Sequence, residues 1–99
     1  MFGLDQKAMM QQMQQLLEES KQRLETTVVT GEAGGGLIVI ELNGNRKLQS
    51  LSINTSIKDM EKEDLEDLLT VALGRAIDAA NQINEQEVSS SARQFIPGL

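Results

Sequence analysis

The groups in this chain that can do chemistry are carboxylates, amines, guanidines, hydroxyls and carboxamides; His, Cys, Tyr and Trp are all missing. General acid–base work near neutral pH draws mostly on His, or on a buried carboxylate with a shifted pKa. The acids here stand in polar, solvated runs, so an enzyme is not expected. The densest run is Asp59, Glu61, Glu63, Asp64, Glu66 and Asp67. It lacks the spacing and central glycine of a calcium loop, and reads instead as a helix start, where the dipole favours negative charge. Gly31 and Gly36 have the G-x-x-x-x-G spacing of a phosphate-binding loop. That motif continues with Lys and Ser or Thr, whereas Leu37 and Ile38 follow here, and the glycines lead into a strand rather than a helix N-terminus. Neither a metal, a nucleotide nor any other cofactor is expected.

What remains is a small set of cations: Lys7, Lys21, Arg23, Arg46, Lys47, Lys58, Lys62, Arg75 and Arg93. Lys7, Gln14 and Lys21 are seven apart and fall nearly in line on a helix. Arg46 and Lys47 lie just past an Asn-Gly pair, near a hairpin tip. Taken alone, these residues read mainly as solubilising charge. A symmetric dimer would present each of them twice, which is how a sparse set becomes a phosphate-contacting surface. The overall charge of −6 opposes a polyanion, but it is unevenly spread. Residues 1–25 and 26–55 are close to balanced, and most of the excess acid lies in residues 56–99. With only Phe2 and Phe95 aromatic, base stacking on single strands is poorly supplied.

These groups must be positioned by few elements. The 99 residues form one domain, with a thin stability margin as a monomer. From Asp5 to Leu24 the spacing of Met10, Met13, Leu17 and Leu24, widened by Met9 and Leu16, predicts a helix of about 30 Å with many glutamines on its other faces. Its apolar stripe needs a partner. Thr26 to Thr30 reads as a strand and 31–36 as a turn. Leu37 to Leu42 reads as a second strand with Ile38, Ile40 and Leu42 on one face. Asn43-Gly44 is a strong hairpin signal. Leu51 and Ile53 mark a third strand, with Leu48 out of phase, implying a bulge or a late start. A second helix follows a turn at 55–59, with an apolar face that becomes small at Ala72, Gly74, Ala76, Ala79 and Ala80. Small residues permit close approach of another element. The expected architecture is α+β, ordered α-β-β-β-α and dimeric, with a single domain over 1–88 and a loose tail over 89–99. No secretory leader is expected from the opening residues, and Leu37–Ile40 is far short of the roughly 20 apolar residues that cross a bilayer. A cytoplasmic protein is the expectation.

The stretch Thr30-Gly31-Glu32-Ala33-Gly34-Gly35-Gly36-Leu37-Ile38-Val39-Ile40-Glu41-Leu42-Asn43-Gly44 resembles the YbaB/EbfC family of bacterial nucleoid-associated proteins almost position for position. The Phe-Gly start, the Met/Gln-rich first helix, the acidic Leu-Glu-Asp-Leu-Leu entry to the second helix and a Pro-Gly near the end agree with it. The resemblance implies a homodimer with projecting helices that binds duplex DNA with little sequence preference, in nucleoid organisation and gene regulation. Carried onto this chain, the DNA-binding candidates are Lys7, Lys21, Arg23, Arg75 and Arg93. Relatives often carry Lys where Val39 stands, and more Lys in the first helix, so this chain brings less positive charge. The alternative reading is a homodimeric protein–protein module, an adaptor for DNA-processing proteins with little DNA affinity of its own.

Overall fold

The computed structural model describes residues 2–95 of the chain, with side chains described for 6–94. Helix α1 (Phe2–Thr26) is followed by strands β1 (Val28–Ala33), β2 (Ile38–Asn43) and β3 (Leu48–Ile53), a single 3-10 turn at Ile57–Asp59, and helix α2 (Lys62–Phe95). The three strands form one antiparallel sheet in the order β1-β2-β3. This is the α-β-β-β-α order that the sequence predicts.

Several boundaries differ from expectation for identifiable reasons. Thr26 and Thr27 do not begin a strand. Their hydroxyls donate back to the α1 carbonyls, Thr26 Oγ1 to Arg23 O at 3.1 Å and Thr27 Oγ1 to Arg23 O at 2.7 Å, and so finish the helix. Strand β1 then runs through Gly31 to Ala33, and the turn becomes 34–37, with Gly34, Gly35 and Gly36 at positive φ and Leu37, expected to open the second strand, inside it. Gly31 is needed inside the strand for another reason. A Cβ there would stand 2.2 Å from the Ala72 carbonyl oxygen and 2.3 Å from the Ala76 nitrogen. Strand and helix touch backbone to backbone, which explains why α2 is lined with Ala72, Ala76 and Ala80, all fully buried. Gly74, by contrast, faces solvent, and a Cβ added there would meet nothing within 4 Å, so it plays no part in this close approach.

The core is thin: Ala33, Ile38, Ile40 and Leu42 from the sheet meet the three alanines, with Val29, Leu65, Leu68 and Leu69 packed around them. The phase of Leu48 is resolved by a bulge. Glu41 pairs with Ser50 but Leu42 pairs with Leu48, so Gln49 is the extra residue. The bulge returns Leu48 to the face that carries Leu51 and Ile53.

The expected loose tail from Ser89 is helical as far as Phe95. No Gly or Pro interrupts 89–95, and Ser91 and Ala92 pack toward α1, which sustains the extra turns; residues 96–99 of the expected tail lie outside the described residues. At 1.5 Å per residue the 34-residue α2 is about 51 Å long. The molecule measures 71 × 21 × 16 Å, with a radius of gyration of 19.3 Å where a compact domain of this length has about 13 Å. It is a small body with a long pair of arms. Among the described residues no helix is long and apolar enough to cross a membrane.

Candidate nucleic-acid interface

The arms are α1 and the second half of α2, running antiparallel. Met13, Leu16, Leu17 and Ser20 face Val88, Ser91 and Ala92 across an apolar cleft. Arg23 ties the two helices together: its Nε donates to Glu87 Oε1 at 2.7 Å. The Arg23 hydrogen bond, opposed by partial burial and aided by the Ser20 hydroxyl, holds the Glu87 carboxyl below the usual carboxylate range. The same contact raises the guanidinium pKa of Arg23 further. Arg23 is thus a bridge between helices before it is anything else.

The structure separates the other candidates. Lys21 and Arg23 are two residues apart, about 200° around the helix, so they look to opposite sides of α1. Lys7 and Lys21 are exposed along one line of α1, about 21 Å apart by the helical rise. Arg75 lies over the body, where its Nη1 donates to the Glu32 carbonyl of β1 at 2.7 Å. Arg93 is exposed in the last turn of α2, beside Gln82, Gln86, Ser89 and Ser90 and one acid, Glu85. A cation there is favoured by the helix dipole.

Two polar groups beyond the five candidates come to the base of the arms. The β2–β3 turn folds against the C-terminal end of α1, placing Lys47 and Asn45 next to Lys21. The buried Asn43 organises this turn. Its Oδ1 accepts the backbone N–H of Asn45 at 2.9 Å and of Lys47 at 3.1 Å, and its Nδ2 donates to Glu25 O at 3.3 Å. The run Asn43-Gly44-Asn45-Arg46-Lys47 signals a hairpin with basic residues, but its contact with α1 is tertiary. Arg46, at positive φ, donates through Nε to Asn81 Oδ1 on α2.

The acid-rich start of α2 stands well away from the arm tips. Asp64 and Arg93 are separated by about 44 Å along the helix axis, several times the roughly 8 Å Debye length at physiological salt. Around the arms, Lys7, Lys21, Lys47 and Arg93 project among Gln and Ser side chains and the exposed acids Glu18, Glu19, Glu25 and Glu85. The densest cluster of negative charge, from Asp59 to Asp67, belongs to the other end of the molecule.

The model of the YbaB/EbfC DNA-binding family matches residues 2–95. The chain belongs to that family. It is 38% identical over 86 residues to a nucleoid-associated protein of Flavobacterium johnsoniae, covering 87% of this chain and 80% of that one. It is 41% identical over 81 residues to a nucleoid-associated protein of Chloroflexus aggregans, covering 81% of each. The crystal structure of an uncharacterised Helicobacter pylori protein has the same fold, with a TM-score of 0.76 at 22% identity, over 87% of this chain and 90% of that one. The YbaB/EbfC family is described by DNA binding and is not an enzyme family.

Proposed function

We propose that this YbaB/EbfC chain binds duplex DNA as a homodimer, through backbone phosphates and with little base readout, in nucleoid organisation and gene regulation. The observation that carries the reading is the division of charge along the molecule. Exposed cations and carboxamides share the arms with Glu18, Glu19, Glu25 and Glu85, whereas the densest acidic cluster lies at the far end of α2, about 44 Å from Arg93 and too distant to repel a ligand at that tip. Lys and Arg contribute the salt-dependent attraction, and Gln side chains donate to phosphate or sugar without reading sequence. In this reading Lys7, Lys21 and Arg93 make the direct contacts. Arg23 sets the relation of the arms, and Arg75 serves the body.

The dimer is supported by a bare apolar face. Leu48 is 60% exposed and Leu51 48% exposed, on the same sheet face as the buried Leu42 and Ile40. Leu73 and Ile77 of α2 border the same groove. A second copy is the partner that would cover this face twice over in a symmetric contact. Each arm pair would then appear twice, doubling a sparse set of cations. The site of action is the nucleoid, in the cytoplasm.

The test is fluorescence anisotropy of a labelled duplex of about 30 base pairs, titrated across a salt series. Binding that weakens linearly on a log–log salt plot is expected, and Lys7→Glu, Lys21→Glu and Arg93→Glu together should weaken it at least about a hundredfold. Unchanged affinity in a folded triple variant would sink this assignment of the surface.

A second reading rests on the arms' apolar side. Met9, Met10, Met13 and Leu17 are all about half exposed or more, the soft surface expected of a protein-binding module. A dimer that ignores DNA at low salt, but pulls down DNA-processing proteins after nuclease treatment, would favour it.

A further inference from the structure

Glu25 is oddly placed. It lies in the last turn of α1, where the helix dipole disfavours an anion. The site nevertheless holds it with three groups. Asn45 Nδ2 donates to Glu25 Oε2 at 2.7 Å, Lys47 Nζ reaches Oε1 at 3.1 Å, and Lys21 stands on the same rim, which a second acid, Glu18, also lines. The Asn45 amide also donates to the Lys21 carbonyl at 3.2 Å, so one carboxamide joins the helix backbone and the carboxylate.

The donors are preorganised from below. Asn43, only 1% exposed, fixes the backbone of both Asn45 and Lys47 through its single amide oxygen. The occupant is not fixed in the same way. The Glu25 side chain is 44% exposed and that of Lys47 66%, so the carboxylate can rotate out into water while the loop stays in place. Asn45 and Lys47 together hold the Glu25 carboxyl below the usual carboxylate range, so it is ionised throughout the physiological range.

We propose that Lys21, Asn45 and Lys47 form a phosphate-binding notch at the base of each arm, and that Glu25 is the chain's own stand-in for a phosphodiester of the DNA backbone. This rests on the DNA-binding reading. A carboxylate and a phosphodiester each carry one negative charge and accept the same paired donors. In free protein Glu25 satisfies the notch; on DNA it gives way, and Lys47 transfers from an intramolecular anion to a phosphate. The notch therefore lowers affinity for any polyanion that cannot displace Glu25.

The experiment uses full-length wild type and the variants Glu25→Gln, Lys47→Gln and the pair together, by duplex anisotropy over a salt series with thermal melts alongside. Asp78→Asn, on the exposed surface of α2, controls for removal of one negative charge. Glu25→Gln should tighten binding by about tenfold for each notch engaged, and Asp78→Asn by less than about twofold. Lys47→Gln should weaken binding and reduce the log–log salt slope by about one per notch, and it should remove most of the gain from Glu25→Gln. DNA binding by Glu25→Gln alone, with wild type silent, would also support the notch. If wild type binds DNA but Glu25→Gln only lowers the melting temperature, or gains no more than Asp78→Asn, Glu25 is merely a clamp and the inference falls alone. If no variant binds even at low salt, the DNA-binding reading falls and takes the notch with it.

Discussion

Strands β2 and β3 run side by side with matched faces, yet they have opposite fates. Ile38, Ile40 and Leu42 of β2 are at most 3% exposed, whereas their cross-strand neighbours Ile53, Leu51 and Leu48 are 36%, 48% and 60% exposed. Both strands have the apolar face of a sheet that expects a cover. Helix α2 supplies it for β1 and β2 by coming so close at Gly31 that only alanines fit between. The same closeness prevents it from reaching β3. Alternation along a strand thus reports which face is apolar and leaves open which molecule covers it. Here one half of the face is covered by the fold, and the other half lies open in the single chain.

The sharpest way to break this comparison is at the covered half. Gly31→Val drives a side chain into the α2 backbone and should destabilise by about 4 kcal/mol or more, lowering the melting temperature by roughly 20 °C. A variant that melted within a few degrees of wild type would show that β1 and α2 do not touch as described. The bare half should behave differently. Leu51→Asp with Leu73→Asp removes two apolar anchors from the open groove without touching the buried alanines. Helical content should persist, while sedimentation shows the dimer constant weakened by about a hundredfold or more. An unchanged sedimenting mass would mean that this face is not where copies meet.

A third change moves from body to arms. The Glu87 carboxyl has a lowered pKa in the folded chain, so its contribution is fully present above the unfolded carboxylate value and is lost as pH falls through the folded one. Wild type should therefore melt above Glu87→Gln at pH 7, and the gap should close on acidification below about pH 4. A gap independent of pH would remove the ion pair as its cause. The smallest effect is expected at Arg75, bound to the Glu32 carbonyl on the body. Arg75→Gln should change duplex affinity by less than about twofold, and a loss comparable to that of Lys21→Glu would extend the DNA surface onto the sheet.

Local patterns made the sheet legible. Ile38, Ile40 and Leu42 announced a covered strand, Asn43-Gly44 its hairpin, and the mis-phased Leu48 its bulge. Thr26 and Thr27 misled because β-branched residues serve equally to finish a helix when their hydroxyls find its carbonyls. Gly31 was hidden among turn glycines because its need for space comes from Ala72, far along the chain. The candidate site was legible only in composition. That Arg23 faces Glu87, and that Lys47 faces Glu25, are facts of tertiary contact between residues 64 and 22 positions apart. Ser89 to Phe95 looked like a tail because serines favour breaks, and α1 at their side keeps them helical.

One helix serves both as the lid of the core and as an arm, and it does so without interruption from Lys62 to Phe95. Mechanically it is a lever with a short end clamped to the sheet at Ala72 and Ala76. From Ala76 to Phe95 the long end extends about 28 Å. A tilt of about 10° at the clamp would carry the tip through about 5 Å, more than the roughly 3.4 Å rise between successive phosphates of one strand. In the proposed dimer on DNA, small adjustments where two copies meet would be read out at the tips as a different choice of phosphate.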